Sequence, residues 1–319
     1  MKRILFLKNR IDVPGRYNFA LNYGWVQRGI DAGLYEAYDW YIDDIPTVER
    51  LNDYLEAYEI DCIISMCANE ARFAHLGAGK WHDHILFGVT VPTFLRAGDS
   101  CYDSWNDPFY GVWDHVFYRM PDKNGCHPVD GTFIPWCVDM TKYTPKWGGE
   151  QLVMIGACNE AYPLRESLRG LNRQHSGALF LDMCNLSGAL HGEKYIEALQ
   201  NARAIITTGS KLSPETRGKV LEAAACGTLI ITPSTKYLER YFNDDQVFVF
   251  NTGAEFIEVC KRVRQMPMDA VIAKQKAVYE HVSQNHNCIK FINNHILPAI
   301  DAATRGQHGR NKRAYLFTR

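Results

Sequence analysis

The sequence predicts an α/β protein made of two domains, each a parallel sheet with helices on both faces. Three observations carry that expectation. Short apolar runs alternate with amphipathic stretches along the whole chain, the pattern of βαβ units. The chain has 319 residues, more than one simple core fills and the expected size of two such domains. The alternation breaks in the middle, across 144–150, where Pro145, Gly148 and Gly149 interrupt it. The boundaries that follow are a first Rossmann-like domain at 1–147, a second at 148–278, a C-terminal helical segment at 279–304 and a basic tail at 305–319.

The elements follow in order. Apolar residues at 4–7 make a first strand, a Gly/Pro-containing loop covers 9–17, and an amphipathic helix spans 18–32. A helix over 47–58 precedes a buried strand at 61–66, and further strands fall at 91–95, 115–119 and 131–135. The segment 97–111 carries Asp, Ser, Trp, Tyr and Pro without a period, so it reads as a long irregular loop of the kind that often serves function. The second unit opens with a strand at 151–156. It continues as helix 165–174, strand 178–182, helix 194–201, strand 204–207, a short helix before Gly227, and strands at 229–232 and 247–250. Helix 254–266 and a long helical stretch to about 303 close it. No fixed-period repeat is present. Two such units joined near the middle are expected to form a cleft at the carboxyl ends of their strands, where ligands bind in sheets of this kind.

Composition narrows the function classes. With 35 basic and 36 acidic residues the net charge is -1, so no global field calls for nucleic acid or an acidic partner. The ten cysteines include no C-x-x-C pair and sit mostly in apolar runs, as at Cys62, Cys184 and Cys260. That usage fits reduced, buried thiols and a cytoplasmic protein. The first residues read as a strand, not as a signal peptide. No apolar run approaches ~18 residues, so no membrane insertion is expected. His82-Asp83-His84 lacks a third ligand at recognisable spacing, and no metal site is expected. Gly77-Ala-Gly-Lys80 is not a phosphate loop, because Ala74 stands where the first Gly belongs and Trp81 where Ser/Thr would hold magnesium. No G-x-G-x-x-G follows the first strand, which disfavours a nicotinamide dehydrogenase.

The most informative segment is Arg217-Gly-Lys-Val-Leu-Glu-Ala-Ala-Ala-Cys-Gly-Thr-Leu-Ile-Ile-Thr-Pro233. Lys219 and Glu222 lie three apart, on one face of a helix that Ser213-Pro214 or 216–218 could start. An Ala-rich patch follows, and Gly227 permits a sharp turn into the next strand. A helix start offers free N–H groups to phosphate, Lys219 adds a point charge, and the two oxygens of Glu222 can accept a pair of hydroxyls. On its own the Lys/Glu pair is an ordinary surface ion pair worth roughly 0.2–0.5 kcal/mol.

The order Lys-x-x-Glu, Gly-Thr, apolar strand resembles the nucleotide-sugar-binding helix of the GT-B glycosyltransferases. Pro135-Trp-Cys-Val-Asp139, with Tyr143 and Pro145, resembles that family's interdomain connector; Asp139 would cap a short turn and Tyr143 would pack it. Val153-Met-Ile-Gly-Ala-Cys-Asn-Glu-Ala-Tyr-Pro-Leu-Arg165 is similar to the opening of the second domain in the spore-maturation-protein-like branch. His191-Gly-Glu-Lys-Tyr195, with Leu199, looks like the stretch that precedes the key helix; Tyr195 and Leu199 read as core. The ordered set covers roughly 131–262.

The resemblance implies a metal-independent transferase without a cofactor, its donor a nucleotide-diphosphate sugar, most simply a UDP-sugar. It implies donor contacts from Gly156, Asn159, Arg165, His191, Ser210, Arg217, Lys219, Glu222 and Gly227, with Glu222 on the ribose. Arg217 and Lys219 would also assist catalysis, and an inverting reaction would need a base, for which Asp99 is first choice and His82 and His84 follow. Where many retaining members carry a further Glu, this chain has Pro214. Either Glu215 takes its part, or Arg217, Ser210 or backbone amides hold the sugar. The tail, with Arg305, His308, Arg310, Lys312, Arg313 and Arg319, together with the aromatic loop at 99–110, allows a nucleic-acid acceptor such as a modified DNA base, as in phage DNA glycosyltransferases; a small molecule or glycan is the other acceptor class. The rival readings are a non-catalytic two-domain binding protein and a nucleotide-sugar epimerase.

Overall fold

The computed structural model describes residues 1–8, 17–41, 45, 47–66, 88–97, 113–119, 126, 131–156, 158–184, 190, 192–209, 218–235 and 237–304. The chain divides into two compact units. One comprises Met1–Pro14, Asn18–Pro135 and Cys288–Arg319, the other Gly15–Tyr17 and Trp136–Asn287.

The first unit holds strands β1 (Lys2–Lys8), β2 (Tyr35–Tyr41), β3 (Cys62–Ser65), β4 (Thr93–Arg96), β5 (His115–Tyr118) and β6 (Gly131–Phe133), with helices α1 (Tyr17–Asp31) and α2 (Val48–Ala57). They form one sheet in the order β2-β1-β3-β4-β5-β6, with every pairing parallel. Ile4, Leu5, Phe6 and Leu7 are fully buried, as expected of a strand covered on both faces. Thr47 caps α2 by accepting the Arg50 backbone N–H at 3.3 Å, and Leu51 and Leu55 put one helix face into the core. The Asp114 carboxylate accepts both the backbone N–H and the hydroxyl of Thr93, each at 2.9 Å, which ties β5 to the start of β4.

Strand β2 was not foreseen. As an edge strand it shows one side to solvent and mixes aromatic with acidic residues, whose carboxylates Glu36 and Asp39 pair with Arg3 and Lys8 on β1. Such a strand lacks the continuous apolar run that marks its buried neighbours.

The second unit holds β7 (Gln151–Gly156), β8 (Leu181–Cys184), β9 (Ala202–Ile206), β10 (Leu229–Pro233) and β11 (Phe248–Phe250), with helices α3 (Pro163–Gln174), α4 (Gly192–Gln200), α5 (Lys219–Ala225), α6 (Gly253–Gln265) and α7 (Met268–Asn285). The sheet order is β11-β10-β9-β7-β8, again all parallel. Alternate residues of β7 feed two cores: Val153 and Ile155 face one cluster, Leu152 and Met154 the other. Strand β8 starts later than the expected 178 because Asn172 clasps the approach to it. Its amide donates to the Phe180 carbonyl at 3.0 Å and accepts the N–H groups of Leu179 and Phe180 at 3.0 and 3.2 Å.

The Pro/Gly segment expected to join the domains is instead packed into the second unit. The Trp136 N–H donates to the Tyr241 hydroxyl at 3.0 Å, and the Lys146 N–H to the Cys226 carbonyl at 3.0 Å. A Cβ on Gly149 would stand 2.4 Å from the Ala202 backbone. By their internal contacts the two units part at Pro135/Trp136. Asp139 does cap a turn, accepting from the Thr141 N–H and hydroxyl at 3.1 and 2.7 Å.

The C-terminal stretch is helical as expected and runs in several pieces. After α7 come α8 (Cys288–Phe291), a π-helical turn (Ile292–Ile296) and α9 (Leu297–Thr304), and these pack back on the first unit. Phe291 meets Trp25 edge-on at 5.6 Å, and Lys2 pairs with Asp301 at 3.3 Å. Among the described residues, eight cysteines are free thiols, seven of them buried. No described helix is long and apolar enough to cross a membrane.

Candidate functional site

The chemistry of the second unit gathers at the carboxyl end of β7. That strand ends on Gly156, whose φ of +134° suits glycine alone. A Cβ placed there would stand 2.8 Å from Arg165 Nη1 and 3.1 Å from Lys219 Nζ. Two cations from separate helices thus converge on one bare stretch of backbone.

Arg165 comes from the first turn of α3, which Pro163 opens. It is 6% exposed, and its guanidinium lies 4.4 Å over the Tyr162 ring, an arrangement that favours a planar cation. Lys219 is the first residue of α5. Its ammonium donates to the Ile155 carbonyl at 3.0 Å and lies 5.9 Å from the Tyr195 ring centroid. Although protein atoms crowd it, Lys219 keeps a partial opening to solvent. Desolvation first, and repulsion from Arg165 second, pull its pKa from 10.5 down to about 8, against attraction from Glu222. Solvent reaching the group through its opening moderates that depression. Two like charges held together in a partly dry place favour an anion between them.

Glu222 lies one turn further along α5 and is 1% exposed. Tyr143 donates its hydroxyl to Oε1 at 2.9 Å, and Tyr195 donates to Oε2 at 2.8 Å. Burial raises the carboxyl pKa, while the two hydroxyls and Lys219 oppose that rise.

The structure therefore brings Gly156, Arg165 and Lys219 together and places Glu222 one turn along α5 from Lys219. Asn159 lies in the loop leading to α3, where its side chain accepts the Ala161 N–H at 3.0 Å and shapes the turn. Gly227 stands past the far end of α5 from Lys219. Its φ is +77°, and a Cβ would meet the Trp147 ring at 2.8 Å, so the turn and the close packing both require glycine. Asp99, His82, His84, His191, Ser210 and Arg217 lie outside the described residues, as do the 98–112 part of the aromatic loop and the basic tail. Among the described residues there is no group of three or more His, Cys, Asp or Glu side chains placed to hold a metal ion.

Solved structures of the same architecture are numerous. The chain matches AviGT4, a glycosyltransferase involved in avilamycin A biosynthesis, with a TM-score of 0.62 and 11% identity over 96% of this chain and 99% of that one. It matches HepE of Anabaena, in complex with UDP-glucose, with a TM-score of 0.59 and 10% identity over 95% of this chain and 100% of that one. Sucrose-phosphate synthase from Thermosynechococcus elongatus gives a TM-score of 0.56 and 11% identity over 99% and 100%. The fold is GT-B. Residues 161–295 of this GT-B chain also match a family profile described as glycosyl transferase-like. That span includes Arg165, Tyr195, Lys219 and Glu222. Comparison with curated protein sequences gave no match.

Sequence reasoning missed the hydroxyls of Tyr143 and Tyr195 at this GT-B site, treating both residues as packing. One signal was present: a buried tyrosine needs a partner for its hydroxyl, and a buried glutamate needs donors. Which tyrosines meet which acid is a long-range matter that spacing does not encode.

Proposed function

We propose that the protein is a glycosyltransferase whose second domain holds a nucleotide-diphosphate sugar, with a UDP-sugar as donor. The observation that carries this reading is the convergence of Arg165 and Lys219 on Gly156 at the carboxyl end of β7. A diphosphate needs positive charge and a close backbone approach, and this corner offers both. The GT-B fold, the glycosyl transferase-like profile and the UDP-glucose complex of HepE support the same assignment.

In the reaction the sugar's anomeric carbon leaves the diphosphate, and negative charge grows on the departing phosphate oxygen. Arg165 and Lys219 are held before the reaction, so they stabilise that charge without reorganising. Two side-chain cations do the work that a divalent ion does elsewhere, and we propose a metal-independent transfer on that ground. The acceptor falls to the first domain, with Asp99 as the proposed base if the reaction inverts.

The test is release of UDP from UDP-glucose and related UDP-sugars, followed with and without chelator. Slow donor hydrolysis without added acceptor, insensitive to chelator, is the expected outcome. Tight binding with no turnover of any sugar nucleotide, whatever acceptor is supplied, would point to the binding-protein reading instead.

A further inference from the structure

Tyr162 and Arg165 both stand where helix chemistry disfavours them. Tyr162 is the N-cap of α3, a place that small polar residues usually take, and its side chain makes no capping bond to the first turn. Arg165 lies in that first turn, where the positive end of the helix dipole repels a cation. It is also 6% exposed, and it and Lys219 repel each other across the corner. A buried guanidinium pushed by two positive neighbours needs something to hold it.

The ring of Tyr162 meets that need. The guanidinium carbon lies 4.4 Å over the ring centroid, within the range where the negative face of a phenol attracts a cation. A flat guanidinium stacks on such a face as an ammonium does not. The ring itself is held in advance. The Asn159 side chain accepts the Ala161 N–H at 3.0 Å, and the Asn159 carbonyl accepts the Tyr162 N–H at 2.9 Å. Pro163 then starts the helix with its φ already set. Asn159, Tyr162, Pro163 and Arg165 thus make one local unit of turn, ring, helix start and cation. From that seat Arg165 Nη1 reaches the bare backbone of Gly156.

We infer that Tyr162 is a positioning residue, the face of its ring holding the Arg165 guanidinium at Gly156 against repulsion from Lys219. This role rests on the reading of Gly156, Arg165 and Lys219 as the diphosphate corner. Working through Arg165, Tyr162 acts on any diphosphate, with or without a nucleoside attached. A tyrosine stacked on the base would act on the nucleotide and ignore bare pyrophosphate.

The experiment compares Tyr162→Phe, Tyr162→Leu and a ring-fluorinated phenylalanine in place of Tyr162. The fluorinated ring keeps the shape of phenylalanine and drains the negative charge from its face. Calorimetry reads affinities for inorganic pyrophosphate and for UDP, and urea midpoints read stability. Tyr162→Phe should bind both ligands as wild type does, since the face and not the hydroxyl holds the cation. Tyr162→Leu should weaken both by the same factor, roughly threefold to tenfold. The fluorinated ring should weaken both in the same way at the stability of Tyr162→Phe, and it decides the matter even if Tyr162→Leu folds poorly. A loss for UDP with pyrophosphate unaffected would overturn the inference in favour of base contact. A fluorinated ring that binds as well as Tyr162→Phe would overturn it in favour of packing alone, and a Tyr162→Phe loss as large as that of Tyr162→Leu would do so in favour of the hydroxyl. Wild-type protein that binds neither ligand would overturn the diphosphate reading itself, and this role with it.

Discussion

Replacing Lys219 by Met should leave the ligand-free protein as stable as wild type or more so, while removing nucleotide binding. The magnitude follows from the site. A group whose pKa falls from 10.5 to about 8 is about 3 kcal/mol harder to charge in the folded protein than in the unfolded chain. The partial opening of Lys219 to water lowers that figure, and loss of the bond to the Ile155 carbonyl gives back about 1 kcal/mol. A net gain of roughly 0–2 kcal/mol near pH 7 remains for the methionine variant. The pH dependence carries a definite sign. Between about pH 8 and pH 10.5 the unfolded chain binds more protons at this group than the folded one, so wild-type stability rises with pH there. The variant lacks that rise, and its advantage should shrink as the pH approaches 10.5. Urea unfolding followed by tryptophan fluorescence, near pH 7 and near pH 9.5, reads the difference. A variant clearly less stable than wild type near pH 7, or a gap that ignores pH, would refute the reasoning.

Three further outcomes are expected. Gly156→Ala should cost about 1–3 kcal/mol, from a φ of +134° that side chains rarely adopt. Its Cβ would also push Arg165 and Lys219 apart, so UDP affinity should fall, and titration calorimetry with urea midpoints measures both effects. Asn172→Ala removes three hydrogen bonds at the start of β8 and strands buried N–H groups. Chemical denaturation should show a loss of about 2–4 kcal/mol, and a change under about 0.5 kcal/mol would contradict the clasp. Glu222 has a raised carboxyl pKa, so its contribution to stability is full below the unfolded value and is lost as pH rises through the folded one. Stability curves across mildly acidic pH should therefore slope less steeply downward in Glu222→Gln than in wild type, and parallel curves would count against a raised value.

Much of the fold was legible in the chain because buried parallel strands announce themselves as continuous apolar runs. Ile4 to Leu7, Leu152 to Ile155 and Leu229 to Ile231 are of that kind. Strand β2 escaped because an edge strand has no such run, and the late start of β8 escaped because Asn172 reaches across from α3. The Pro/Gly segment at 144–150 misled for a related reason. Pro and Gly mark a change of direction, and here the change is packed against Ala202 and Cys226. At the site, Gly156 and Arg165 were named through the family resemblance and Lys219 through its place at a helix start, and the fold brings the three together. The surroundings of Glu222 were not legible, since Tyr143 precedes it by a whole βαβαβ unit and meets it only through the fold.

The central claim is that Arg165 and Lys219 hold the diphosphate of a nucleotide sugar at Gly156. Titration calorimetry of UDP and of uridine, on wild type and on Arg165→Met, tests it most directly. The account predicts measurable UDP binding to wild type, far weaker binding of uridine, and UDP affinity in the variant reduced toward that of uridine. Uridine binding as tightly as UDP, or UDP binding unchanged by the loss of Arg165, would contradict it.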